Sequence, residues 1–519
     1  MTAADQPAAN ASGRQFARNA VSSYANLAVG IVLSLLLTRV ILRHLGAGAY
    51  GLWIVLLSIV GYLALLDTGV STAVVQRVAR LKAIGDREET ADVIRTSLVF
   101  FTCTGVVAVL VAVAIAPFLS SFLHLGDVSG SVASRTLIVL AVMTLVQFVG
   151  SVPAAVLFGA GRGDRQAQIG AASLIATQVG QVVVVLAGGG LVGLALVTLG
   201  GALFSLVAAS GLIRQATGST VYQGRFRRDL LVDLLRFGGR NTAIAVGGII
   251  SYSLDALVIG VILPVAQVAP YNIALSTANL TRNLTTQGTN MLLPTYAHYE
   301  TSEDQGRQSW LFSKAVMASL AISVPMLIAL AAFGQPILKL WLGTVPPQTY
   351  KIMIALGLVT AIQLPGHQCF IFLTGTGRNQ VLIRLSLLGA AINLAGSIAA
   401  TFWLGPVGPA VGSLPVVVVI DFFILPMLVC RHLGIGFSAY ARDALLPVAP
   451  GAAVAGILAV VLVVAHPIHG GSTLRDGVEA AVSATVVVIA AMVTLLAVLF
   501  RVEPEFRDPL VARFRRRRT

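Results

Sequence analysis

Five residues recur in register 216 positions apart: Gln147, Gly150, Gly159, Gly161 and Arg162 reappear as Gln363, Gly366, Gly375, Gly377 and Arg378. The segments around them have otherwise diverged, so the chain reads as a duplication of one folding unit. Further pairs lie close to the same offset: Arg18 and Asn19 with Arg240 and Asn241, and Tyr50 with Tyr271. Gly190, Val192, Gly193 and Ala195 likewise match Gly405, Val407, Gly408 and Ala410. Whatever the chain folds into must be buildable twice.

The solvent for that fold is lipid. Apolar residues make up 56% of the chain, charged residues 11%, and mean hydropathy is +0.88, beyond what a water-soluble protein of 519 residues carries. Runs of about 18 to 25 mainly apolar residues, each able to cross a hydrocarbon core of roughly 30 Å as a helix, alternate with short polar punctuation. About fourteen such runs can be drawn. The first covers 22–42; the second, 52–67, is short; the seventh and eighth cover 242–263 and 268–293; the last covers 478–500. The expected fold is therefore all-α and membrane-integral, with two pseudo-symmetric six-helix bundles and two extra C-terminal helices. Residues 1–213 form the N-terminal half, 214–241 a basic cytoplasmic linker, 242–430 the C-terminal half, 431–500 the two additional helices and 501–519 a basic tail. With an even number of helices, each half starts on the same side, which makes the repeat a parallel one.

Lys and Arg set the orientation. With the N-terminus inside, inward segments carry about 28 of them and outward segments about 6. The inner set includes Arg77, Arg80, Lys82, Arg87, Arg225, Arg227, Arg228 and the Arg513 to Arg518 cluster. Both termini are therefore expected in the cytoplasm, with the loop around His466 to Asp476 outside. The polar leader before Arg14 is short and the first run lacks a small-residue cleavage site, so the first helix reads as retained. The net charge of +14 follows from this inner-face bias and is no argument for nucleic acid. Cys103, Cys369 and Cys430 fall in or at the ends of runs and read as packing residues.

Each candidate for chemistry has a plain alternative. Gly159 to Gly163 looks like a phosphate loop but lacks the Gly-Lys-Ser/Thr ending and recurs in the second half, so it reads as a structural turn. His466 and His469, near Asp476 and Glu479, lack a ligand set and read as a solvated loop, so neither metal nor cofactor is expected. The tail Phe506, Leu510, Val511 and Phe514 beside Arg513 and Arg515 to Arg518 suits a short helix on anionic lipid or a plain topology anchor.

Charges inside the runs are more informative. Asp255 falls in helix 7, and Arg282 and Asn283 in helix 8, inside a polar run that reaches Gln287 and Asn290. An arginine at the centre of an isolated helix costs roughly 2.5–3.5 kcal/mol on insertion scales, so its side chain must face protein or water. Asp255 and Arg282 either cement helices 7 and 8 as a pair, sit near a helix edge, or line a polar cavity for an anionic or sugar-bearing solute; the cavity is the favoured reading. Arg39 near the outer end of helix 1 and Asp67 at the inner end of helix 2 can reach an interface and are weaker candidates. Asp421 in helix 12 is a candidate ion or proton site.

Arg43, Leu45, Gly46, Tyr50, Gly51, Leu52 and Trp53, followed by Leu66, Asp67 and Gly69, carry a resemblance. So do Tyr252 to Asp255, Ile259, Gly260, Tyr271, Asn272, Ala274 and Pro294 in the second half. In order and spacing they resemble the polysaccharide and oligosaccharide flippases of the multidrug, oligosaccharidyl-lipid and polysaccharide exporter superfamily. The resemblance implies a V-shaped pair of bundles that alternates access and moves a polyprenyl-diphosphate-linked glycan to the outer leaflet of the cytoplasmic membrane, without covalent catalysis. It implies membrane lipids as surroundings, and a polysaccharide polymerase and glycosyltransferases as candidate partners. Relatives place essential arginines on helices 1 and 8, where Arg39 and Arg282 fall, and the last two helices resemble those that form a lipid-tail groove. A multidrug exporter of the same superfamily is the alternative within transport; a non-transporting membrane scaffold is the alternative outside it. No stretch outside the runs is long enough for a nucleotide-binding or catalytic domain.

Overall fold

The computed structural model describes residues 6–63, 67, 69–218, 224–301, 304–465 and 474–502; the side chains of 6–29, 239–253, 287, 288, 291, 379, 474 and 499–502 lie outside that description. Among the described residues every regular element is a helix. They divide into two compact units, Met1–Ala245 and Val246–Thr519. The first holds α1 (Gln6–Leu63), broken at Gly46, then α2 (Val70–Ile84), α3 (Arg87–Ile115), the short α4 (Leu119–Phe122), α5 (Gly130–Gly159), α6 (Gly163–Leu186) and α7 (Gly190–Thr217). The helix α8 (Arg228–Ile262) begins in the first unit and ends in the second. The second continues with α9 (Val268–Thr289), α10 (Leu293–Thr301), α11 (Gln305–Leu342), α12 (Thr349–Gly375), α13 (Asn379–Leu404) and α14 (Gly408–Val416). A π-helical stretch, Val417–Ile424, leads into α15 (Leu425–Leu433), the short α16 (Phe437–Tyr440), α17 (Ala449–Ala465) and α18 (Leu474–Val502).

Among the described residues ten helices are long and apolar enough to cross a membrane, which makes this a multi-pass membrane protein. The expected fourteen runs map onto these ten and onto α8 and α9. Expected runs 11 and 12 are counted as one apolar stretch, Gln380–Leu433, although the chain turns at Gly405 (φ +63°) between α13 and α14, and runs 1 and 2 share Gly30–Leu63 across the break at Gly46. The polar run from Thr281 dilutes the hydropathy of α9, and α8 falls partly outside the described side chains.

The duplication is written in backbone hydrogen bonds. At the end of α5, Ala160 N–H donates to Val156 O, Gly161 to Phe158 O and Arg162 to Leu157 O. At the end of α12, Thr376 donates to Phe372 O, Gly377 to Thr374 O and Arg378 to Leu373 O, the same three bonds 216 positions on. Gly161 and Gly377 take φ of +74° and +75°, the left-handed conformation that lets a helix turn sharply and that side chains resist. The preceding glycines serve close approach instead. A methyl on Gly159 would stand 2.6 Å from Val75 O and 3.0 Å from Val78 Cβ; on Gly375, 2.8 Å from Leu293 O and 3.0 Å from Tyr296 Cβ. Thus α2 lies on α5 as α10 lies on α12, the contacting residues of α2 and α10 being offset by 218 rather than 216.

That register exposes pairs too diverged to see in sequence. Asp86 caps α3 by accepting from Glu89 N–H (2.9 Å), and Asp304 caps α11 by accepting from Arg307 N–H (3.0 Å); such caps contribute about 1 kcal/mol each. Lys82 donates to the Ala160 carbonyl at the first turn, while its counterpart Glu300 pairs with Arg378 at the second.

The linker region is docked in part. Arg225 N–H donates to Asp92 (2.7 Å) and Arg227 N–H to Thr96 Oγ1 (3.1 Å), fastening it to α3. The helices α17 and α18 pack on α11 around Phe333 and Val487, with Ala455, Ala459 and Ala480 as small residues that let backbones approach. Cys369 and Cys430 are buried, but Cys103 is exposed on α3, so the packing role expected of all three holds for two.

Candidate functional site

The second unit carries most of the polar side chains enclosed by helices. Thr281, Thr285, Thr286 and Thr289 are buried on α9, and Arg282 and Asn283 are half-buried beside them. Thr285 donates back to Thr281 O (2.9 Å) and Thr289 to Thr286 O (3.2 Å), which satisfies the hydroxyl protons inside the helix and leaves oxygen lone pairs free to accept. Gln368 of α12 uses one: its Nε2 donates to Thr289 Oγ1 (3.2 Å) and to Ser319 Oγ of α11 (2.7 Å), tying three helices together. In the first unit the counterpart of Gln368 is Val152, fully buried in an apolar cluster with Val70, Val74, Val78 and Phe148. The two halves share a backbone and differ in what they enclose.

Arg282 neighbours His367. The guanidinium is close enough to act electrostatically on the imidazole, whose Nε2 is buried without a hydrogen-bond partner among the described residues. Asp255 is held elsewhere. It accepts from Tyr271 Oη (2.5 Å) and Ser397 Oγ (3.3 Å), which joins α8, α9 and α13. Tyr271 precedes Arg282 by eleven residues, about 16 Å along the helix. The cement between α8 and α9 is therefore Asp255 with Tyr271, not Asp255 with Arg282. Asp255 stands two turns before the end of α8 at Ile262.

Asp421 lies in the π-helical stretch, where Gln363 Nε2 donates to its Oδ2 (3.4 Å). In the first unit, Arg39 is exposed on α1, and Asp67 accepts from Ser71 N–H (3.3 Å) and Ser71 Oγ (2.7 Å). Asp67 thus serves the start of α2, which runs on to the turn at Gly85. The side chain of Gln287 lies outside the described residues, as do His466, His469 and the tail from 503. Among the described residues no group of three or more His, Cys, Asp or Glu is placed to hold a metal.

Sequence reading missed His367, Gln368, Ser319 and Ser397. Gln363, His367 and Gln368 interrupt an otherwise apolar run, a signal that attention to the repeat glycines obscured.

An all-α chain of two repeated helical units, with polar groups enclosed in the second, has the architecture of a multi-pass transporter fold. Its family is also defined: residues 36–345 match the family described as polysaccharide biosynthesis protein, and this chain belongs to it. Among solved structures it resembles the lipid II flippase MurJ in an inward closed conformation, with TM-score 0.73 and 12% identity over 93% of this chain and 99% of that one. It also resembles an inward-facing multidrug resistance MATE family transporter of the MOP superfamily, with TM-score 0.63 and 17% identity over 78% and 95% of the two chains. A MOP superfamily transporter from Pyrococcus furiosus matches with TM-score 0.50 and 17% identity over 78% and 96%. At such identities the likeness is one of fold. No curated protein matches the sequence.

Proposed function

We propose that this protein is an alternating-access flippase that carries a lipid-linked oligosaccharide or polysaccharide precursor from the inner to the outer leaflet of the cytoplasmic membrane, with both termini in the cytoplasm. Membership of a polysaccharide biosynthesis family supports the class of cargo, and a fold shared with a protein described as a lipid II flippase supports a lipid-linked form of it. The observation that carries the site is Arg282 on the polar face of α9, beside the His367 imidazole. A planar guanidinium offers a fork of donors matched to phosphate oxygens, and the low dielectric of a membrane-embedded cavity strengthens that attraction. The diphosphate of such a carrier is the part that needs a cation, while its prenyl chain stays in lipid. Asn283 is a polar neighbour for the sugar, Gln287 is a further candidate from the sequence alone, and Arg39 is a second cation of the same reading. Asp255 supports α9 through Tyr271 and has no assigned contact with cargo.

The test is surface glycan in a deletion strain complemented with variants, read beside the amount of folded protein in the membrane. Arg282→Ala should abolish export at wild-type protein level, and Arg282→Lys should restore only part of it because the fork is lost. Full export by well-folded Arg282→Ala would remove the site assignment. A deletion strain with unaltered surface glycan that exports organic cations poorly would favour a multidrug exporter.

A further inference from the structure

The internal repeat supplies a control for one residue. In the first unit, Gly150 of α5 faces Leu206 of α7; a methyl added to that glycine would stand 3.7 Å from Leu206 Cβ. In the second unit, Gly366 of α12 faces Asp421 far more closely, with a methyl 2.5 Å from Asp421 Cβ and 2.8 Å from its carbonyl oxygen. Leu206 and Asp421 are 215 positions apart, the offset that also relates Gly193 to Gly408 and Ala195 to Ala410 on the same helices. Gln363, which donates to Asp421, has Gln147 as its counterpart. One half of the protein thus builds this helix contact with a leucine. A carboxylate is not what the contact requires.

The backbone differs at the same place. The helix α7 is regular from Gly190 to Thr217, whereas its counterpart becomes π-helical over Val417–Ile424, with Asp421 inside the wide turns. Wide turns of this kind free carbonyl groups and recur at functional sites. Asp421 lies within the apolar stretch Gln380–Leu433, is only partly buried, and among the described residues receives a single hydrogen bond, from a neutral amide. An ionised carboxylate in such a place is costly unless a cation joins it.

The packed helices supply none among the described residues. The π-helical stretch lies against α12, α14 and α15, and touches Gly389 of α13. Of their titratable side chains, Cys369 of α12 is near enough to feel the Asp421 charge. His367 and Lys351 also lie on α12, Arg384 on α13, and Cys430, Arg431 and His432 on α15; α14 carries none. No cation among them acts on Asp421. Among the described residues no group of three or more His, Cys, Asp or Glu gathers at Asp421. A proton needs one carboxylate oxygen.

We infer that Asp421 is a proton-binding site in the second unit, the place where a proton enters and leaves as the transporter cycles. Its carboxylate takes up one proton to become a neutral acid and returns it as a carboxylate, with Gln363 able to donate to the charged form and, through its amide oxygen, accept from the neutral one. This inference rests on the transporter reading for its consequence, but protonation can be read without any cargo.

The experiment is infrared difference spectroscopy of the purified full chain between acid and alkaline buffers, following the band of a protonated carboxyl group, for wild type, Asp421→Asn and Asp421→Leu. Protonophore sensitivity of export is measured on the same proteins in cells. The wild type should show a pH-dependent carboxyl band that Asp421→Asn loses. Asp421→Leu, which copies Leu206, should fold with unchanged melting and export without protonophore sensitivity or not at all. A band retained in Asp421→Asn would overturn the inference, as would protonophore-sensitive export at wild-type rate by that variant. Loss of folded protein in both variants would overturn it too, since the carboxylate would then serve packing. A titrating band in a protein that moves no glycan would uphold the site while removing the flippase reading.

Discussion

Tyr271 donates its hydroxyl proton to Asp255, and both groups are enclosed where α8, α9 and α13 meet. The bond replaces the ion pair that the sequence allowed, and it separates a structural role from a cargo-binding one along a single helix. Tyr271→Phe would leave the carboxylate with Ser397 alone, at a cost of about 1–3 kcal/mol for an under-satisfied buried group. Asp255→Asn keeps an acceptor for Tyr271 and should cost less. Thermal melting of the purified variants checks this order, and Tyr271→Phe with wild-type melting would count against the assignment. Since Arg282 lies three turns away, neither substitution should mimic the clean export loss expected of Arg282→Ala.

Paired glycines in the two turns should differ in kind. Gly161 and Gly377 have no atom within 4 Å of an added methyl, so alanine there meets only the penalty of a left-handed backbone, about 1 kcal/mol. Gly159 and Gly375 touch the backbone of α2 and α10, and alanine must push helices apart, at about 1–3 kcal/mol. Melting of four single-alanine variants in detergent checks it. Gly159→Ala should be worse than Gly161→Ala, and Gly375→Ala worse than Gly377→Ala; the reverse order in either half would contradict the shared geometry.

Much of this architecture was legible because it depends on local physics. Apolar runs declare membrane helices, and Gly161 and Gly377 mark turns because few other residues tolerate that φ. Arg282 was conspicuous because charge inside an apolar run is expensive. Partnership was not legible. Nothing in the local sequence says that Asp255 meets Tyr271 and Ser397 rather than Arg282, because the choice is made by helix crossing across 142 positions. The contrast between Leu206 and Asp421 needed the structural register, since the repeat offset shifts from 216 to 215 between neighbouring helices.

Acid should weaken the second unit where α10 meets the turn after α12, through Glu300. Its carboxylate is partly buried, which works against its charge, but Gln308 Nε2 (3.0 Å), His432 Nε2 (3.3 Å) and Arg378 Nη2 (3.9 Å) hold it below its ordinary value of 4.5. A carboxylate depressed by folding contributes its stability above the unfolded value and loses it as pH falls through the folded one. Glu300 is one-third exposed, so water screens the effect and its size stays below about 1 kcal/mol. Glu300→Gln should therefore melt slightly lower than wild type at neutral pH, and the gap should close as pH drops below 4.5. Its counterpart Lys82 should not behave this way, because it donates to a backbone carbonyl and has no carboxylate at that contact. Melting curves for wild type, Glu300→Gln and Lys82→Gln across the acid range decide it: a Glu300→Gln gap that persists unchanged into acid would show that the glutamate acts through packing, not charge.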